Sequence, residues 1–483
     1  MKLIRDIFYL ILEELQDDKR TLYSSLTVNK TWWEIIIRIL WKNPWKYITD
    51  EFKEFSFFVI IISHLSDESK NNLKIQGIDL PTVSSQKLLF NYISFCRHLN
   101  FNALDKIFTT IRIKYHYSNS TLIILKNEIY KLFINENTKF IHHLYIPQQF
   151  DYCIPGAQNC FSDIVFLSCS TNIKDDVLNG LTKICKSVKE LELLISDSNN
   201  NYGITRLIDI PTNLINVRFI TNHPSTGLFA YYLDINNKLF YKILEDSLIK
   251  RSNTIRYFKM TKQPTINILS SLIYLVRLEL CGGRYHPWNC LENLTLPFLQ
   301  ILKASYVPVK PLTCLIGNTS GSLVEIKIDY TNHNEIDNKR IIQVIYHNCP
   351  SLKYLKLEII SDNIPELENL LINCQSLIRL YILFNELKFN WNNLFNILTE
   401  LSPSSLFKFK FFSSYASPNL DSFKIFLSNW KGRKPLLLKF SIMKNIEEEY
   451  STLIEKYKSE GVINKCTLVI IGGFNSSKKI VID

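Results

Sequence analysis

The chain has 483 residues, 46% hydrophobic, 13% aromatic and 21% charged, so it can bury several cores and is not of a disordered type. A formal charge of +11 raises nucleic acid as a partner, but the Lys excess comes with abundant Ile, Asn, Phe and Tyr and only 13 Gly and 3 Met, the bias of AT-rich codons, and nucleic-acid binding is disfavoured. The 11 Cys are scattered, odd in number and without a C-x-x-C pair, which excludes a zinc site or small disulfide framework and suits a reducing compartment.

The opening stretch MKLIRDIFYLILEELQDD mixes acids into its apolar residues and reads as an amphipathic helix, not a signal peptide. Ile7, Leu10, Ile11 and Leu15 fall at helical spacing, with Asp6 placed to cap the start. A second helix is expected over Lys19 to Thr27 with Leu22 and Leu26 inward, and a third from Asn29 through Trp32, Ile36 and Leu40. Three helices in so short a stretch make a small core that needs an outside partner or a neighbouring domain. The most apolar run, Phe55 to Leu65, is too short to span a bilayer, so no membrane partner is expected and the location is cytoplasmic or nuclear.

Residues 3–41 resemble the F-box family. The family's pattern is a Leu-Pro start, an acid-Ile pair, an Ile–Leu helix, V-C-x-x-W and a late L-W. The chain reads LIRDI at Leu3 to Ile7, LILEEL at Leu10 to Leu15, SLTVNKTWW at Ser25 to Trp33 and ILW at Ile39 to Trp41. Ile4 replaces the usual Pro and Asn29 the usual Cys, which puts adaptor affinity in question rather than the fold. The resemblance implies docking onto a Skp-type adaptor, and through it a cullin scaffold, by Leu3, Ile4, Ile7, Leu15, Leu26, Val28 and Trp32, with Trp32 as the anchor.

Residues 46–136 read as a helical connector, with helices over Ser84 to Leu99 and over TLIILKNEIYKLFI, and no Gly/Ser linker to loosen it from residues 1–45. From 137 to 483 one pattern recurs: apolar-x-x-apolar-x-apolar, the strand core of a leucine-rich repeat. Copies start at Ile141, Phe161, Val188, Leu214, Ile255, Leu275, Leu299, Leu323, Leu352, Leu377, Leu406 and Leu437, with a capping copy at Cys466. Most are about 20 to 31 residues apart, and NCPSLKYLKL and NCQSLIRLYI are near-duplicates, with Asn385 at the place of the repeat's Asn ladder. Helical patterns fill the gaps, in NKRIIQVIYHNC, PELENLLINC and NLDSFKIFLSNW, and an inserted loop is expected around TNHPSTGLFAYYLDINN. The fold class is therefore α/β: a three-helix F-box-like module followed by a curved leucine-rich-repeat-like solenoid with a parallel concave sheet.

No phosphate loop, nucleophile elbow or H-E-x-x-H is present, so neither catalytic residues nor a cofactor or metal are expected. His142 and His143 are adjacent and point to opposite faces of a strand, and Cys349 and Cys374 occupy equivalent repeat positions that favour burial over nucleophilic chemistry. Strand side chains alternate, so the x positions form a face. Early copies mix signs there, with Glu190, Glu192, Arg218, Arg277 and Glu279. Late copies carry Lys327, Lys353, Tyr354, Lys356, Arg379, Tyr381, Lys408, Lys410 and Lys439, a positive stripe suited to an acidic or phosphorylated protein segment, or merely one that keeps the surface soluble. The family arrangement of F-box plus repeats implies a non-catalytic substrate receptor of an SCF-type ubiquitin ligase. A ligase-independent repeat scaffold, its N-terminal helices a simple cap, is the competing reading.

Overall fold

A computed structural model describes residues 2–16, 18–81, 88–135, 141–146, 157–221, 237–282, 287–329, 334–384, 386, 389–413, 417–443, 447–472 and 476–482, without the side chains of 2–4, 19, 443 and 471–482. The chain forms two compact units, Met1–Ile215 and Asn216–Asp483.

The first unit opens with α1 (Lys2–Glu14), α2 (Lys19–Ser25) and α3 (Lys30–Lys42). Asp18 caps α2 through the amide of Thr21, and Asn29 caps α3 through the amide of Trp32. Asp6, by contrast, lies inside α1 and caps nothing at its start, because the helix begins four residues earlier, at Lys2. Leu12, Leu22, Ile35, Ile36, Ile39 and Leu40 make a closed core, with Phe8, Leu15, Leu26 and Trp32 packed on its rim. The connector follows without a loose joint. Trp41 stacks on Phe57 at 5.2 Å, Trp45 meets the same ring edge-on, and the Arg97 amide donates to the Lys42 carbonyl. It holds α4 (Glu51–Ser63), α5 (Asp67–Ile75), α6 (Phe101–Tyr115) and α7 (Asn119–Phe133), the last being the TLIILKNEIYKLFI helix.

The helix expected over Ser84 to Leu99 does not form. Residues 82–87 lie outside the described ones, and the rest is a short 3₁₀ turn, Tyr92–Phe95, running into strand β1, His98–Asn100. The apolar side chains there serve separate neighbours: Phe90 meets Trp33, and Tyr92 meets Trp41 and His64. Leu89, which a helix there would turn to its apolar face, is instead 74% exposed. β1 pairs in parallel with β2 (His143–Ile146), β2 with β3 (Phe166–Ser170), and β3 with β4 (Glu190–Ile195). β3 starts later than the copy read at Phe161. Ile164, Leu167 and Cys169 are buried in the strand segment, while Phe161 is buried just after the short helix Ala157–Cys160.

The second unit repeats a strand and a return segment. Its strands are β5 (Asn216–Thr221), β6 (Tyr257–Met260), β7 (Arg277–Cys281), β8 (Ile301–Ser305), β9 (Glu325–Asp329), β10 (Tyr354–Glu358), β11 (Arg379–Phe384), β12 (Lys408–Ser413), β13 (Leu436–Met443) and β14 (Ile463–Gly472). Each pairs in parallel with the next, so Tyr257 faces Arg277, Tyr354 faces Arg379 and Arg379 faces Lys408. A parallel pair needs a crossover, and the helices Glu335–Asn348, Glu366–Asn373, Trp391–Leu401 and Leu420–Asn429 provide it in the later repeats. Their apolar faces are buried, through Ile341, Ile342 and Ile345 in the first and Phe423, Phe426 and Leu427 in the last. The pattern of one strand and one return per unit, with alternating burial along each strand, is leucine-rich-repeat-like. Leu437 faces outward rather than inward, because Leu436, Leu438 and Phe440 take the core positions of β13. The sequence gives no warning of β15 (Ser476–Ile482), which pairs antiparallel with β14 and covers its edge. The inserted loop after β5 and Asn385 lie outside the described residues. Among the described residues no helix is long and apolar enough to cross a membrane.

Candidate interaction surfaces

The amphipathic stripe of α1 marks its solvent side. Ile7, Leu10 and Ile11 stand one helical turn apart on that helix and are 49%, 62% and 54% exposed. The core side of α1 is instead Phe8 and Leu12, with Leu15 packed beside them just past the helix end and Phe8 5.7 Å from the ring of Trp32. α1 and α3 are further joined by Arg5 to Glu34 and Lys42 to Glu13, both at 2.6 Å. The row of large apolar side chains left outside a closed core forms an exposed apolar strip along α1.

The seven residues expected to dock an adaptor therefore divide. Ile7 is exposed on α1, and Val28 is exposed in the turn before α3. Leu15, Leu26 and Trp32 are half-buried at the rim of the module's own core, so Trp32 is first a packing residue. The side chains of Leu3 and Ile4 lie outside the described ones. Leu10 and Ile11 were not among the expected docking residues. Their signal was the excess of apolar residues over what one face of a short helix can bury.

The second surface is the outward face of the strands in the second unit. Tyr354, Lys356, Arg379, Tyr381, Lys408 and Lys410 alternate with buried Leu355, Leu380 and Phe409 and so share it, as does Lys327. Lys353 is not in this row. It sits before β10, out of phase with Tyr354, and is exposed. Register aligns Glu279, Lys303, Lys327, Lys356, Tyr381, Lys410 and Lys439 across seven strands.

Electrostatics subdivide the row. Lys303 and Arg277 both meet Glu279; burial pushes that carboxyl up, but the two hydrogen-bonded cations outweigh it and hold it at about 2. Lys327 pairs with Glu325 at 2.6 Å, and Lys356 pairs with Asp329. The Lys327 ammonium lies 4.5 Å from the Tyr354 ring centre, and Tyr381 has Lys356 at 4.7 Å and Lys410 at 3.8 Å. These cation–π contacts hold flexible side chains in line.

Cys349 and Cys374 are fully buried, the Cys374 thiol donates to the Cys349 carbonyl at 3.6 Å, and burial pushes the thiols up to about 12 and about 11. His143 stacks on His98 at 4.0 Å, while His142 turns toward the Asp163 carbonyl. Among the described residues no group of three His, Cys, Asp or Glu side chains could hold a metal ion.

By this architecture the protein is a leucine-rich-repeat-like scaffold. No family model and no curated protein matches the chain. Among solved structures, it is similar to the leucine-rich repeat-containing protein LegL7 from Legionella pneumophila, with 14% identity and a TM-score of 0.36 over 65% of this chain and 92% of that one.

Proposed function

We propose that the chain is a non-catalytic substrate receptor of an SCF-type ubiquitin ligase, whose N-terminal module docks a Skp-type adaptor and whose repeats hold a protein target. The observation that carries this reading is the row Ile7, Leu10 and Ile11, with Val28 beside α3, left exposed by a module whose core is already closed. Large apolar side chains around a turn and a helix face are what an adaptor's groove buries. The two departures from the family pattern are compatible with this role. Asn29 takes over the capping of α3, and Ile4 stands within α1, where a Pro is not needed to sustain the helix.

The test is co-purification of the full chain with a Skp-type adaptor. Ile7→Asp together with Val28→Asp places charges where apolar contact is required and is expected to abolish the complex while far-UV circular dichroism stays unchanged. An adaptor retained at wild-type levels would overturn the reading in favour of a ligase-independent scaffold.

A further inference from the structure

The outward face of the second unit carries cations on each of β7 to β13, but the carboxylates among them stand on one side only. On β7 to β10 the carboxylates of Glu279, Glu325 and Asp329 stand among the cations and pair with Arg277, Lys303, Lys327 and Lys356. On β11 and β12 the outward positions are Arg379, Tyr381 and Leu383, then Lys408, Lys410 and Phe412. On β13 they continue as Leu437 and Lys439. No carboxylate stands among them.

At the start of these strands three cations crowd together. Arg379 and Lys408 are register partners on β11 and β12. Lys434, in the turn before β13, brings its ammonium 3.7 Å from the ring centre of Phe407, and Lys408 lies 5.1 Å from the same ring. Among the described residues none of the three is in an ion pair. Burial, and then the charges of Arg379 and Lys434, push the Lys408 amine below its ordinary value. Folding has brought like charges together without supplying a counter-charge, a conflict that an anionic partner would relieve.

We propose that β11 to β13 form a docking surface for an extended acidic protein segment, which seats Asp or Glu carboxylates on Arg379, Lys408 and Lys434 and apolar side chains on Leu383, Phe412 and Leu437. The proposal rests on the reading of the repeats as the target-holding part. The cations continue along the strands beyond that cluster: Arg379 and Lys408 sit on neighbouring strands about 4.8 Å apart, and Lys410 and Lys439 stand roughly 7 Å further along, the interval between alternate side chains of an extended chain. Spread single charges fit a run of carboxylates better than one dianionic group. Nucleic acid fits less well, since a strip three strands wide spans only about two or three phosphates before carboxylates interrupt it. The apolar residues in the same strip have no use for a sugar-phosphate backbone.

The experiment uses the full chain and a labelled synthetic peptide of repeated Glu-Glu-Leu, read by fluorescence anisotropy. Matched arms carry Lys-Lys-Leu, a phosphoserine peptide without Asp or Glu, and single-stranded DNA. The acidic peptide is expected to bind best, weakening roughly tenfold between low and high salt. Arg379→Glu, Lys408→Glu and Lys434→Glu together should cost tenfold or more in affinity, and the neutral Gln triple should cost less. Lys303→Glu, on the side that carries the carboxylates, should change little. Equal binding by the triple variant, or tighter binding of the phosphopeptide or of DNA, would overturn the proposal. Adaptor binding measured on the same variants separates the two readings: lost peptide binding with adaptor retained concerns this surface alone, and the reverse concerns the ligase role alone.

Discussion

The rings of Phe8 and Trp32 lie 5.7 Å apart, tilted by 52°, and that contact decides which side of α1 meets solvent. With Phe8 directed at Trp32 and Leu12 fully buried, Ile7, Leu10 and Ile11 have no core left to enter. The first prediction separates packing from docking. Trp32→Ala is expected to destabilise the three-helix module by about 2–3 kcal/mol, since a half-buried Trp sits below the full cost of a core truncation. Leu10→Ser and Ile11→Ser should leave its stability within about 0.5 kcal/mol and weaken adaptor binding. Hydrogen exchange of the α3 amides reads the stability. A Trp32→Ala module as protected as wild type would show that Trp32 contributes nothing to packing.

A second prediction concerns the buried amides that join two repeats. Asn338 donates to the Glu358 carbonyl at 2.8 Å and accepts from the Ile360 amide and from Asn363, which itself donates to the Glu335 carbonyl. Both Asn side chains are buried. Asn338→Ala leaves a carbonyl, an amide and a side-chain donor without this partner. The expected loss is about 2–3 kcal/mol, with exchange at Ile360 accelerated before that of β12. Uniform acceleration along the second unit would count against a local joint.

Much of this architecture is readable in the sequence, and the failures have physical causes. The copies from Leu214 to Leu406 are each found as a strand because a buried residue at every second position fixes register as well as face. The copy at Phe161 is misplaced because apolar residues on both sides of Ile164 allow more than one phase, and β3 is buried at every position. The Ser84 to Leu99 pattern has helical spacing, but Phe90 and Tyr92 are held by Trp33 and Trp41, contacts that local periodicity does not contain. The late basic residues are legible one by one. Which of them meet carboxylates is not, because Asp329 and Lys356, or Glu279 and Lys303, meet only through strand pairing. Lys434 is missed for a different reason: it lies outside any strand, so the strand pattern does not point to it.

The repeat register gives a third prediction. Tyr354 of β10 is the register partner of Arg379 of β11, so removing Leu352 to Ser376 deletes one whole unit and joins equivalent positions. Removing only Ile364 to Ser376 takes away about half as much chain but destroys the return helix Glu366–Asn373. A parallel crossover needs about a dozen residues, so the shorter deletion should be the more damaging. Urea unfolding of the two variants checks this. A smaller loss of stability from the half-unit deletion would contradict the stacked-repeat account.

The last prediction turns on Glu245 in the helix Lys238–Ile249. Its carboxylate is 2% exposed and accepts hydrogen bonds from the amides of Thr265, at 2.9 and 3.0 Å, and Ile266, at 2.8 Å. Burial raises its pKa to about 7 from an ordinary 4.5, against the opposing pull of the two amides. Between those values the folded chain keeps a proton that the unfolded chain has released. The resulting stabilisation is therefore fully present below about pH 4.5 and lost as pH rises through about 7. Glu245→Gln stays neutral at every pH, and its carbonyl oxygen can still accept from both amides. Relative to this variant, the wild type is expected to lose about 1–3 kcal/mol between about pH 4.5 and pH 8. Other titrating groups are common to both proteins and cancel in the difference. Hydrogen exchange at Thr265 and Ile266, measured across that range, reads the effect where it arises. A wild-type-minus-variant difference that stays flat with pH would mean that the Glu245 proton is no more tightly held in the folded chain than in the unfolded one.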